Sequence, residues 1–168
     1  MRKLFAATAA LLLTAAPALA APAKTTPAKP TQVTESVQLS VPVDQVWPSI
    51  GPFCGLSDWH PAVEKCELRQ DAKGQLRLIT VKGGGVIEER LLSASDTQHR
   101  IAYSILSSPL PVKNYTASLS ATPSGKGTKL VWKAKFMPNG ASEAEAKKVI
   151  SGIFTSGFDG LKQRLGSQ

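Results

Sequence analysis

The sequence is short of the residues that most site chemistries need. It has only two histidines, His60 and His99, so a three-histidine zinc site is excluded. It has only two cysteines, Cys54 and Cys66, and they lack the close C-x-x-C spacing of a redox motif. No Ser-His-Asp signature, phosphate loop or nucleotide fingerprint is present. Gly83-Gly84-Gly85 is followed by Val86, not by Lys-Ser/Thr, and reads as a turn between strands. The apolar run Leu4 to Ala16 is shorter than the roughly 20 residues that span a bilayer. No cofactor and no metal are expected.

That run is nevertheless an address. Arg2 and Lys3 precede it, and Ala18-Leu19-Ala20 places small residues where a signal peptidase reads. Residues 1–20 are therefore expected to be a signal peptide, with an uncleaved anchor as the alternative. Residues 21–30 alternate Pro, Ala, Lys and Thr, a composition that buries too little apolar surface to fold. They read as a flexible tether. Residues 31–168 fit one domain, with no transmembrane segment in the mature chain. The expected location is periplasmic or secreted.

The net charge is +8, and without Arg2 and Lys3 it is +6, from 18 basic and 12 acidic residues. Export and the scatter of the lysines argue against nucleic acid. What remains is a solvated basic face, or attraction to an acidic partner protein or a membrane surface. In an oxidising compartment Cys54 and Cys66 are a possible disulfide; two buried free thiols are the alternative.

Hydrophobic alternation predicts a strand over Val33 to Val41. Pro42 ends it, and Asp44 is an N-cap candidate for a short helix with Val46, Trp47 and Ile50. Pro48 is placed in the first turn of that helix. A second helical turn is expected from Asp58 to Val63. Six strands follow: Glu64–Gln70, Gln75–Lys82, Val86–Ala94, Arg100–Ser107, Val112–Thr122 and Thr128–Met137. Ser142 and Glu145 form a capping box opening a long helix. Its apolar stripe is Ala146, Val149, Ile150, Ile153, Phe154, Gly157, Leu161 and Leu165. Gly157 implies either close approach to the sheet or room for a ligand. The fold class is α+β: a curved antiparallel sheet of about seven strands gripping a long C-terminal helix, with two short helices after the first strand.

Parity assigns the faces. Lys129, Lys133 and Lys135 point to water, and Leu130, Trp132, Ala134 and Phe136 point to the helix. Lys113 and Tyr115 share a parity but want opposite faces, so a bulge or the strand start must intervene. Ile101, Tyr103 and Ile105 face inward. In Val86–Leu92 the cheaper choice is Ile87, Glu89 and Leu91 inward. A buried Glu89 needs a partner, and Tyr103 or His60 could supply one. A rim position, or a bond to Arg90, is the alternative. His60 reads as a satisfied structural histidine, and His99 as an exposed turn residue.

The runs Val46-Trp47-Pro48-Ser49-Ile50-Gly51-Pro52-Phe53 and Asp58-Trp59-His60-Pro61-Ala62-Val63 are familiar. So are Glu89-Arg90-Leu91-Leu92 and Pro109-Leu110-Pro111-Val112-Lys113-Asn114-Tyr115. Together they resemble the START/Bet v 1-like superfamily of polyketide cyclase/dehydrase-type proteins, the SRPBCC group, over about Val33 to Leu165. The resemblance implies a helix-grip fold and a hydrophobic ligand cavity. As an exported member the chain also resembles the MxaD-type periplasmic accessory proteins of methanol oxidation. That implies assistance to a redox complex between a dehydrogenase and a cytochrome.

The residues expected around the cavity are Trp59, His60, Glu89, Tyr103, Tyr115, Trp132, Phe154 and Phe158, with core packing as the alternative for Trp59. Three functions are carried forward. The first is a non-enzymatic binding protein for a small apolar or lipid-like ligand. The second is an accessory protein docking on an acidic periplasmic redox protein through a basic face. The third, ranked last, is a cyclase or isomerase using Glu89, His60 or Tyr103 for proton transfer. No catalytic residue is assigned.

Overall fold

The computed structural model describes residues 29–166. The expected signal peptide, and the tether up to residue 28, lie outside the described residues. Strand β1 (Thr31–Leu39) leads into helix α1 (Val43–Ile50) and a 3₁₀ turn (Gly55–Asp58). Six strands follow: β2 (Val63–Asp71), β3 (Gly74–Val81), β4 (Val86–Ser95), β5 (Arg100–Ser107), β6 (Val112–Ser124) and β7 (Gly127–Pro138). Helix α2 (Glu143–Gly166) closes the chain.

The seven strands form one antiparallel sheet in the order β1-β7-β6-β5-β4-β3-β2. From β2 to β7 each strand pairs with the next through a short connection, and β1 adds beside β7 at the opposite edge from β2. The sheet grips α2, which is the expected helix-grip fold. Ser151 on α2 donates to Glu35 Oε1 on β1 at 2.6 Å, fixing the helix to that end of the sheet.

β7 shows how the sequence sets the faces. Leu130, Trp132, Ala134 and Phe136 are buried, and Lys129, Lys133 and Lys135 are exposed. On β6 the parity conflict is resolved by a bulge: the register shifts between Lys113 and Thr116. Asn114 takes φ 53°, a left-handed conformation that asparagine tolerates better than most residues. The extra residue lets Lys113 face water while Tyr115, Ala117 and Leu119 face inward. The capping box at α2 is formed: Ser142 Oγ accepts from Glu145 N–H, and Glu145 Oε2 accepts from Ser142 N–H at 2.9 Å.

Several local expectations are corrected. Asp44 lies in the first turn of α1 and makes no capping bond; Pro42 holds the N-cap position. Pro48 falls beyond the first turn, on the exposed side, where the freed carbonyl can meet water. The second helical turn is not Asp58–Val63 but Gly55–Asp58. Pro61 disfavours helical geometry at His60, so the turn must finish earlier. On α2, Val149 is 38% exposed and leaves the apolar stripe, and Phe158 joins the buried face.

Candidate functional site

Between the sheet and α2 lies a cavity of about 120 Å³. His60 comes to it from the turn before β2, Glu89 from β4 and Tyr103 from β5. Tyr115 comes from β6, Trp132 from β7 and Phe154 from α2. Trp59 and Phe158 do not line it. Trp59 is turned toward the backbone, its Nε1–H donating to the carbonyl of Ser49 at 3.1 Å. Phe158 packs on Trp132 with ring centroids 5.9 Å apart. Both are buried in the core. Trp132 itself stacks on Phe154, 4.3 Å between centroids and 8° from parallel, which makes a flat aromatic wall.

Glu89 faces inward, only 5% exposed. Its partner is neither Tyr103, His60 nor Arg90 but Arg77, directly opposite it in the β3–β4 register. Arg77 Nε–H donates to Glu89 Oε2 at 2.6 Å, and a second guanidinium nitrogen lies 2.5 Å from the same oxygen. Another Arg77 N–H donates to the carbonyl of Phe53. The guanidinium carbon sits 4.2 Å from the Phe53 ring centroid and 4.7 Å from that of Tyr103. Two tilted rings thus border the guanidinium on adjacent sides, their centroids 6.4 Å apart, which suits a planar cation taken out of water. Burial pushes the Glu89 carboxyl upward, and the Arg77 charge opposes that shift. Arg90 pairs instead with Asp71, through two bonds of 2.7 Å.

Arg77 escaped the sequence reading because a single arginine in a strand is ordinarily a surface residue. The signal was its parity with Ile79, which places it on the inner face opposite Glu89.

His60 is buried with both ring nitrogens engaged. Nδ1 accepts from Ala62 N–H at 3.2 Å, so Nε2 carries the proton and donates to the carbonyl of Ile153 at 3.0 Å. Burial lowers the imidazole below its ordinary value; the bond to Ile153 opposes this, and the Arg77 charge adds to it. Trp132 Nε1–H donates to the Tyr103 hydroxyl at 2.8 Å. The Tyr103 and Tyr115 rings lie 6.5 Å apart between centroids, and burial pushes both phenols well above their ordinary range.

Gly157 serves close approach: a Cβ there would stand 2.8 Å from His60, 3.0 Å from Trp132 and 3.1 Å from Trp59. His99, expected to be merely exposed, is half-buried with its ring edge-on to Trp47, 5.4 Å between centroids. Cys54 and Cys66 are disulfide-bonded, with Cα atoms 5.5 Å apart. The bridge ties the segment after α1 to β2. Among the described residues no group of three or more His, Cys, Asp or Glu is placed to hold a metal. No helix among them is long and apolar enough to cross a membrane.

A curved antiparallel sheet closed over one long helix, with an apolar cavity between them, defines the START/Bet v 1-like class of helix-grip proteins. Residues 30–166 match the family described as polyketide cyclase / dehydrase and lipid transport, and the chain belongs to that family. XoxI of Bacillus cereus is similar at 29% identity, over 80% of this chain and 94% of that one, with a TM-score of 0.74. A START superfamily protein of Mycobacterium smegmatis superposes at TM-score 0.69, with 14% identity over 82% of this chain and 98% of that one. The Zhui aromatase/cyclase of Streptomyces sp. R1128 gives 0.63, with 21% identity over 80% and 90%. The last two likenesses are of fold alone. No curated protein matches the chain.

Proposed function

We propose that this protein is an exported, non-enzymatic binding protein that holds a small apolar ligand between the sheet and α2. The single observation that carries this reading is the cavity, walled by Trp132 and Phe154 and otherwise mainly aliphatic. The groups that could move protons each hold a partner within the protein, although Glu89 leaves Oε1 open. Glu89 is paired with Arg77 through Oε2, both His60 nitrogens are bonded to backbone, and the Tyr103 hydroxyl accepts from Trp132. Such groups suit a fixed wall better than general acid–base work. Export is supported by the apolar leader with its Ala18-Leu19-Ala20 end, and the Cys54–Cys66 bridge fits an oxidising compartment.

The test is native mass spectrometry of the mature protein isolated from the periplasm of its host, followed by solvent extraction. A co-purifying small apolar molecule is expected. Protein that emerges empty, from cells in which it is abundant, counts against the reading.

One observation favours a second reading, an accessory role on an acidic periplasmic redox protein. Lys129, Lys133 and Lys135 form an exposed row on the outer face of β7. Their cross-strand neighbours are Gln38, Thr34 and Gln32 on β1, and Thr122, Ser118 and Thr116 on β6, with no carboxylate among them. An unneutralised lysine row attracts an acidic surface in a salt-dependent way. Pull-down at low ionic strength should return such a partner, and replacing the three lysines by glutamate should abolish the capture.

A further inference from the structure

Resting on the binding reading, we infer that the cavity is built for a compact, neutral, single-ring molecule with one hydroxyl group, which donates to Glu89. Size sets the first limit. An apolar protein cavity of roughly 150 Å³ accommodates benzene. At about 120 Å³ this one has room for one ring or an equally small branched chain. A fused-ring polyketide or a long acyl chain would have to extend out through the mouth of the cavity or move the core apart.

Chemistry sets the second. The nitrogen donors that face the cavity each hold a partner, and the Tyr103 and Tyr115 hydroxyls can still donate to a ligand that also accepts. Arg77 directs its bonds to Glu89 and to Phe53, His60 to Ile153, and Trp132 to Tyr103. The acceptor capacity of Glu89 is not spent, because both guanidinium contacts fall on Oε2. Among the described residues no donor reaches Oε1. Yet no fully buried side-chain nitrogen or oxygen among them lacks a partner. Oε1 therefore has open space beside it, and the open space at Glu89 is the cavity. An acceptor at the edge of an apolar space selects a ligand with one donor.

Charge sets the third. A carboxylate or phosphate would meet Glu89 with no cation left to receive it, since the guanidinium is already committed. An ammonium would surrender its hydration for a carboxylate already shared with Arg77. A neutral hydroxyl meets neither penalty.

Three probes separate the possibilities in calorimetric or NMR titrations of the purified full chain: phenol, toluene and dodecanoate. Phenol should bind saturably and at least tenfold more tightly than toluene, and dodecanoate should not displace it. In a wholly apolar cavity that order reverses, because the phenol hydroxyl is desolvated with nothing to bond. Toluene equal to or tighter than phenol, or displacement by dodecanoate, overturns this inference and leaves the binding reading standing. No binding by any probe also overturns it; the extraction experiment then decides the binding reading separately. The doubly substituted R77M/E89L variant exchanges the ion pair for apolar side chains. If it remains folded by circular dichroism, it should favour toluene over phenol, and an unchanged order there overturns the inference as well.

Discussion

The Cβ that Gly157 lacks would stand 2.8 Å from Cδ2 of His60. The helix and the turn before β2 meet at this point with no space for a methyl group. Gly157→Ala gains about 1 kcal/mol of helix propensity. It must also displace three ring side chains, and overpacking of this kind costs about 1–3 kcal/mol. The expected result is a net loss in urea denaturation. Gly152, on the exposed side of the same helix, has nothing within 4 Å of its missing Cβ. Gly152→Ala should therefore stabilise by about 0.5–1 kcal/mol. Equal effects at the two positions would show that the His60 contact does not constrain α2.

Arg77 and Glu89 should behave as a unit. Arg77→Met leaves a buried carboxylate without its cation, at a cost of about 3–5 kcal/mol. Adding Glu89→Leu removes the stranded charge and should recover most of that loss. Chemical denaturation of the two single variants and the double completes the cycle. Simple additivity would show that the pair is not coupled.

His60 predicts acid sensitivity. Its folded value lies below the ordinary 6.5 because the ring is buried. Between those two values the unfolded chain binds a proton that the native protein does not. Stability therefore falls as pH drops through 6.5, and levels off below the folded value. Glu89, raised by burial, acts in the opposite sense, so the contrast with a variant isolates the histidine. His60→Gln should be less stable at neutral pH but lose less on going from about pH 7.5 to about pH 5.5. An identical pH slope in variant and wild type would assign the effect to another group.

The Cys54–Cys66 bridge closes a short loop, twelve positions from end to end. Chain-entropy reasoning gives a bond of that span about 3 kcal/mol of stabilisation. The C54A/C66A variant should unfold at correspondingly lower urea concentration, and reductant should have no further effect on it. A reductant-sensitive midpoint in wild type but not in the variant identifies the bridge directly.

Much of the architecture could be read from alternation. The lysines of β7 betrayed its outer face, and the clash of parity between Lys113 and Tyr115 pointed to the bulge that Asn114 makes. Glu89 was placed inward because the other register would have buried Glu88 and Arg90 together. Its partner was harder, since Arg77 is seventeenth in line after His60 and joins Glu89 only through strand pairing. Trp59 and Phe158 were expected at the cavity because large aromatics so often wall one. Whether an inward ring lines a space or fills it depends on its rotamer and its neighbours, and alternation carries neither. The helical turn was misplaced because the run after Gly51-Pro52 has no hydrophobic period to fix its start, and only Pro61 limits its end.

Among the described residues the last strand on the far side of the sheet, β2, has a neighbouring strand on one flank only. Its other flank carries the unpaired amides and carbonyls onto which a foreign strand could add. Along it run Glu64, Lys65, Glu67, Arg69 and Asp71, all exposed and of both signs. An incoming strand would have to strip water from these charges, and would gain little apolar cover in return. The strand's own composition thus guards the molecule against stacking edge to edge when it is concentrated.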